Sequence, residues 1–275
     1  MTRRTFADEV EKIRDEVRRL VDAATERVLP AARRNQVDHA LRALATDIEG
    51  AIERIDPVAL PTVVFGPSNP KIIGRFTALA MVAQARLPLG ELGKFYGSGV
   101  YAIYYRGDYE PYRPISGTET PIYVGQAAPS QANAHTARDQ GPRLAARLNE
   151  HRKNIAKAAT TLDLDDFEAR FLVVQSGWET AAEDYLISLF KPIWNSETNI
   201  LYGLGKHGDA AETRANKRSP WDTLHPGRQW AARSAEDAKT SGEILDDLGR
   251  HFADQPPVTD QGALLEMFFA GLRQR

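Results

Sequence analysis

Gly97-Ser98-Gly99-Val100-Tyr101-Ala102-Ile103-Tyr104-Tyr105 and, beyond a polar connection, Pro121-Ile122-Tyr123-Val124-Gly125 are the stretches that decide the fold. Both are short, rich in β-branched and aromatic side chains, and bounded by glycine or proline, the composition of paired strands. The Gly-, Pro- and Tyr-rich residues 106–121 between them read as a hairpin connection with room for a β-extension. Tyr101 and Tyr123 then lie on adjacent antiparallel strands, where side chains on one face can meet.

Outward from this pair, Gly141-Pro142 precedes a helix of roughly 143–159. Phe167, Ala169, Phe171 and Val173 alternate as in a third strand of about 167–174, and a helix from Glu179 to Phe190 is stopped by Pro192. Upstream, Ile72, Ile73, Phe76, Leu79, Ala80 and Val82 give one apolar face to a helix of about 71–86, after a linker marked by Pro57, Pro61, Gly66, Pro67 and Pro70. At the N-terminus two helical seams, Phe6-Val10-Ile13-Val17-Leu20-Ala24 and Val37-Leu41-Leu44-Ile48-Ala51-Ile55, are separated near Leu29-Pro30. They suit a helical hairpin whose seams pack on each other, or a seam that pairs between subunits. Thr5 with Asp8 makes a start cap. The expected fold is α+β: a small antiparallel three-stranded sheet flanked by helices, with an N-terminal hairpin (1–58), a central domain (59–233) and an acidic helical tail (234–275).

Arg147 and His151 are four apart on the middle helix, so they share a face, with Arg143 a turn earlier. That face offers a fixed cation and an imidazole, groups suited to a phosphate in a charged transition state. Glu183 precedes Leu186, Ile187 and Phe190 on one stripe, which puts its carboxylate among apolar side chains. A carboxylate there needs a cation, an arginine partner or a proton.

The whole-chain charge is −2, which alone argues against a nucleic-acid partner, but the charge is segregated. Arg138, Arg143, Arg147, Arg152, Lys153 and Lys157 face only Asp139 and Glu150 in their stretch, and Lys206, Arg214, Lys217, Arg218, Arg228 and Arg233 form a second basic run. A phosphate backbone responds to such local patches. Zero cysteines exclude disulfides, thiolate chemistry and cysteine-held zinc. The scattered histidines make no zinc spacing, and no apolar run has the roughly 20 residues that span a bilayer. The N-terminus lacks a signal peptide's apolar centre, so a cytoplasmic location is expected.

Gly99-Val100-Tyr101, Tyr123-Val124-Gly125, the Arg147/His151 helix and Glu183-x-x-Leu186-Ile187-x-x-Phe190-x-Pro192-x-Trp194-Asn195, in this order, resemble the GIY-YIG nuclease superfamily over roughly residues 65–233. The basic, aromatic stretch from Gly203 to Ala231 resembles in particular its type II restriction endonuclease branch, which cuts GC-rich palindromes of the CCGCGG kind. The resemblance implies a metal-dependent endonuclease acting on double-stranded DNA and leaving 5′-phosphate and 3′-hydroxyl ends. Tyr101 would be general base toward water with His151 as helper, Tyr123 would position water or phosphate, and Arg147 would stabilise the transition state. Glu183 would hold Mg²⁺ (or Mn²⁺), and Asn195 would fix the site's geometry. Gln126 stands where many members have lysine, which shifts phenolate formation onto His151 or the metal. Readers of DNA are expected among Arg143, Lys206, Arg214, Lys217, Arg218 and Arg228, with Arg113 and Tyr112 in the hairpin connection; any of the cations can equally serve phosphates. A homodimer or higher oligomer and a companion methyltransferase acting on the same site complete the expectation. The rivals are a repair or homing nuclease of the same superfamily and a non-catalytic DNA-binding protein on the same fold.

Overall fold

The computed structural model describes residues 5–25, 30–55, 58, 66, 68–175, 177–205, 217–234 and 236–272. The chain divides into two units, Met1–Val64 and Phe65–Arg275.

The first unit holds helices α1 (Phe6–Thr25) and α2 (Ala31–Ile55). Thr5 and Asp8 cap α1 reciprocally: the Thr5 N–H donates to the Asp8 carboxylate at 2.8 Å and the Asp8 N–H to Thr5 Oγ1 at 3.3 Å. Their seams are only partly covered: Val17, Ala24, Val37, Leu41 and Ala51 are half-buried. Nothing on α1 is buried, and Phe6, Val10, Ile13 and Leu20 stay exposed, as do Leu44, Ile48 and Ile55 on α2. The physical reason lies in the pattern: a strict two-in-seven stripe is too narrow to build a globular core within one chain.

The second unit is built on a four-stranded antiparallel sheet in the order β1-β4-β2-β3. The strands are β1 (Leu87–Pro88), β2 (Gly99–Tyr105), β3 (Tyr123–Ala127) and β4 (Phe167–Val173). The fourth strand corrects the three-stranded expectation. Helix α3 (Pro70–Val82), started by Asn69 and Pro70, ends four residues short of Arg86. Arg86 is drawn to Glu119 at 3.0 Å and over the Tyr104 ring, and Pro88 holds Leu87 extended, so the chain pairs with β4.

All seven residues of β2 are buried because helices cover both faces of the sheet. Tyr101, Ile103 and Tyr105 join a core with Leu144, Leu148 and Ile155 of α5 (Arg143–Lys157), whereas Val100, Ala102 and Tyr104 join one with Ala78 and Met81 of α3 and Leu186 of α6 (Glu179–Phe190). A strand covered on both faces shows no polar alternation, as its sequence shows none. The short helix α4 (Ala137–Gln140) sets the start of α5: buried Gln140 accepts from the Ser98 N–H at 2.9 Å and donates to the Val174 carbonyl at 2.8 Å. Lys191, in the left-handed region at φ 44°, ends α6 just before Pro192.

The connection from β2 to β3 has no β-extension. Glu110–Ile115 wind into 3₁₀ turns that bury Tyr112 and Ile115. After α7 (Pro220–Leu224), helices α8 (Ser241–Asp254) and α9 (Gln261–Leu272) belong to the same unit rather than forming a separate tail. Ile244 and Leu248 enter the first core and Leu264 and Phe268 the second, since each apolar stripe needs a surface to cover it. Among the described residues no helix is long and apolar enough to cross a membrane.

Candidate active site

Both halves of the tyrosine motif owe their glycines to close packing. A side chain on Gly99, which has φ +151°, would meet the Leu172 carbonyl oxygen at 2.0 Å. Gly125 is the register partner of Tyr101, and a Cβ there would lie 2.5 Å from the Tyr101 hydroxyl. Only glycine leaves room for that ring to lie across β3. Tyr123, two residues earlier on the same strand face, brings its ring centroid to 6.1 Å from that of Tyr101.

His151 of α5 closes this group from above, its Nε2 2.7 Å from the Tyr101 hydroxyl and its ring centroid 4.7 Å from that of Tyr123. It is completely buried, and burial, aided by the Arg147 charge, lowers its pKa to about 3. The imidazole is therefore neutral at physiological pH. As a neutral ring His151 acts on Tyr101 through a hydrogen bond rather than through charge, with Nε2 placed to accept the phenol's proton. Its Nδ1 finds no hydrogen-bond partner among the described residues. Burial likewise raises the Tyr101 pKa well above the ordinary phenol value, with the neighbouring Tyr123 adding to it and Arg147 opposing it. Arg147 stands one turn before His151, half-buried and paired with Glu150 at 2.5 Å.

Across the sheet, Glu183 of α6 is half-buried and close enough that its charge opposes ionisation of both phenols. Its own pKa rises to about 7, first from burial and then from Asp184 and Glu197, while the Gln126 backbone N–H and Arg147 pull the other way. No arginine ion-pairs with it among the described residues. Nor do three His, Cys, Asp or Glu side chains there converge on a metal geometry. One strained carboxylate in acidic surroundings fits a largely hydrated Mg²⁺, which commonly uses one or two protein carboxylates. Asn195 clamps the outer edge of β3, accepting from the Val124 N–H at 2.9 Å and donating to the Val124 carbonyl at 2.8 Å. Both ends of its side-chain amide are thus spent on backbone, which makes it a positioning residue for the strand that carries Tyr123.

The family model described as the Eco29kI GIY-YIG domain matches residues 93–252, the stretch that holds every group above. The chain belongs to this GIY-YIG restriction endonuclease family. No curated protein matches it. Membership makes this a nuclease whose substrate is DNA.

The expected DNA readers of this GIY-YIG protein divide unevenly. Lys206 and Arg214 lie outside the described residues. Arg143 is exposed and anchored to the Ala128 carbonyl at 3.0 Å, one turn from Arg147. Arg113 is exposed beside Glu110, Lys217 lies 3.2 Å from Glu236, and Arg218 is tied to Asp237 and to the carbonyls of Ala231 and Ser234. Two expectations are corrected. Tyr112 is fully buried, its hydroxyl bonded to His225 and accepting from Trp194 Nε1 at 2.9 Å. Arg228 is fully buried between the rings of Trp221 and Trp230, bound to both Asp222 oxygens at 2.6 and 2.8 Å. It also donates to the carbonyls of Leu204 and Gly203 at 3.1 and 2.8 Å. Composition placed both residues at a DNA surface, whereas desolvation and local partners place them inside.

Removing one member of a buried, hydrogen-bonded ion pair strands the other charge, at a cost of about 3–5 kcal/mol. Arg228→Met is expected to lower the unfolding free energy by about that amount, checked by urea denaturation. A loss under about 1 kcal/mol would show that the Asp222 pairing is not maintained in solution.

The sequence reading missed Glu150, the partner of Arg147, although its i,i+3 spacing was legible. It also missed that Asp184 and Glu197 act on Glu183, and, although it singled out Gln126, it did not show that the side-chain oxygen of that residue is buried.

Proposed function

We propose that this protein is a type II restriction endonuclease that hydrolyses double-stranded DNA at a GC-rich palindrome with Mg²⁺ (or Mn²⁺), leaving 5′-phosphate and 3′-hydroxyl ends. The observation that carries the reading is the 2.7 Å contact between the Tyr101 hydroxyl and a buried, neutral His151, under Arg147 and across from Glu183. As water attacks phosphorus, its proton passes to the Tyr101 oxygen and the Tyr101 proton passes to His151 Nε2. The phosphorus–O3′ bond breaks, the departing O3′ takes a proton from solvent to become the 3′-hydroxyl, and the imidazolium proton returns through Tyr101 to solvent. Burial disfavours a standing phenolate on Tyr101 and a standing imidazolium on His151 alike, so the proton is shared between the two only while negative charge grows on the phosphate. Arg147 exchanges Glu150 for a non-bridging phosphate oxygen, whose charge exceeds a carboxylate's only as the pentacoordinate transition state forms. Tyr123 holds the water or the phosphate from the neighbouring strand. Glu183 would hold the metal, which when bound supplies positive charge against the crowded phosphate and the departing oxygen.

The palindrome and the two-strand cut call for a homodimer or higher oligomer, and the exposed seams of α1 and α2 are in keeping with one. A companion methyltransferase protecting the same site and a cytoplasmic location belong to the same reading. Digestion of plasmid and phage DNA with purified protein, with Mg²⁺ or with EDTA, tests it. Discrete Mg²⁺-dependent fragments whose sequenced ends share one GC-rich palindrome are expected. Cutting that is random, or undiminished in EDTA, would refute it.

A further inference from the structure

The edge strand β3 directs two sets of groups toward the metal carboxylate. Val124 turns its N–H and C=O outward to Asn195, so Gln126, two residues on, turns its N–H outward as well. That N–H reaches the Glu183 carboxylate. Side chains alternate in the same way. Tyr123 and Ala127 face the α5 core, whereas Val124 packs in the core with Leu186 of α6. Gln126 therefore leaves the sheet on the α6 face, one step along from Val124, as Glu183 lies one turn along from Leu186. At that place Gln126 Oε1 is buried and receives no hydrogen bond among the described residues.

A buried amide oxygen without a partner is costly, and its surroundings offer it carboxylates rather than donors. Glu183 is followed directly by Asp184, and among the described residues no arginine ion-pairs with it. The partner missing from both the carboxylate and the amide oxygen is positive, small and accepts hard oxygen ligands. We infer that Gln126 Oε1 is the second protein ligand of the divalent cation held at Glu183. The inference rests on the metal reading given above and adds to it. The cation would be gripped by one charged and one neutral oxygen from two different elements, α6 and β3, so that its position is tied to the strand that carries Tyr123.

Mn²⁺ titration of the purified protein, with free Mn²⁺ followed by electron paramagnetic resonance, tests both layers separately. Gln126→Met removes the oxygen and keeps the chain length; Gln126→Glu keeps the oxygen and removes the amide donors. Thermal unfolding confirms that each variant folds. Gln126→Met is expected to weaken the site about tenfold, and Gln126→Glu to bind Mn²⁺ at least as tightly as the parent. Gln126→Met within about twofold of the parent, or a Gln126→Glu protein that binds more weakly, would overturn the inference. The second result would instead make Gln126 a donor to Glu183. If Glu183→Gln binds Mn²⁺ like the parent, or the parent binds none, the metal reading falls and takes this inference with it.

Discussion

Tyr101→Phe is expected to slow single-turnover cleavage about 10²–10⁴-fold, the span of a positioned proton-transfer group, while leaving duplex affinity unchanged. The substitution is unusually clean. The ring keeps its place over Gly125 and beside Tyr123, so the packing of β2 against β3 survives. What goes is the hydroxyl bonded to His151 Nε2, the middle link of the proposed relay. That nitrogen is then left buried without a partner, so a loss of about 1–3 kcal/mol in stability should accompany the kinetic effect. The pH profile separates a relay from a charged helper. A solvated imidazole would impose a limb near its ordinary value of 6.5, but His151 stays neutral down to about pH 3, so its titration should leave no limb between pH 5 and 8. Quench-flow rates on saturating duplex decide the matter. A Tyr101→Phe protein within twofold of the parent would remove Tyr101 from the proton's path.

The sequence revealed the tyrosine hairpin well because its evidence is local. Strand composition, glycines at the two motif ends and an i,i+4 pair on the next helix each follow from backbone geometry over a few residues. It also indicated that Glu183 sits on an apolar stripe. What stayed hidden depends on distant contacts. The strand Leu87–Pro88 is too short to carry a period and exists only because β4 presents Ala169 and Glu168 to it. Arg228 looked like a reader of guanine because its neighbours are basic and aromatic. Whether such a cation meets water or a buried Asp222 is a fact about folding, although Ser219-Pro220-x-Asp222, a helix start that buries its acid, pointed toward it. His151 shows the same limit. Its helix face was legible, but its charge was not, because burial against Tyr101 and Tyr123 sets it. The narrow seams of α1 and α2 suit a pair within the chain or between subunits alike, because a two-in-seven stripe does not specify which helix covers it.

Glu183→Gln is expected to abolish cleavage to within about 10³-fold or more of the parent rate, several kcal/mol of lost charge stabilisation, while duplex binding persists. Its second signature is on stability and carries the opposite sign. In the cation-free protein the Glu183 carboxyl has a pKa of about 7 against an ordinary 4.5. The native state therefore holds a proton that the unfolded chain has already lost between those values. Stability falls as pH rises through that window and is level above it. Glutamine cannot ionise, so the cation-free variant should melt above the parent at pH 8, with the gap closing toward pH 4.5. Adding Mg²⁺ should narrow the gap at pH 8 by binding the parent alone. The same competition acts on the parent's activity. At limiting Mg²⁺ its rate should drop below pH 7 as the proton displaces the cation, and more Mg²⁺ should move that midpoint to lower pH. Differential scanning fluorimetry across pH, run beside the cleavage assay, reads both effects. A Glu183→Gln protein that is inactive but no more stable than the parent at pH 8 would mean that the carboxylate is already well solvated or paired. Its strain could then not be what recruits the metal.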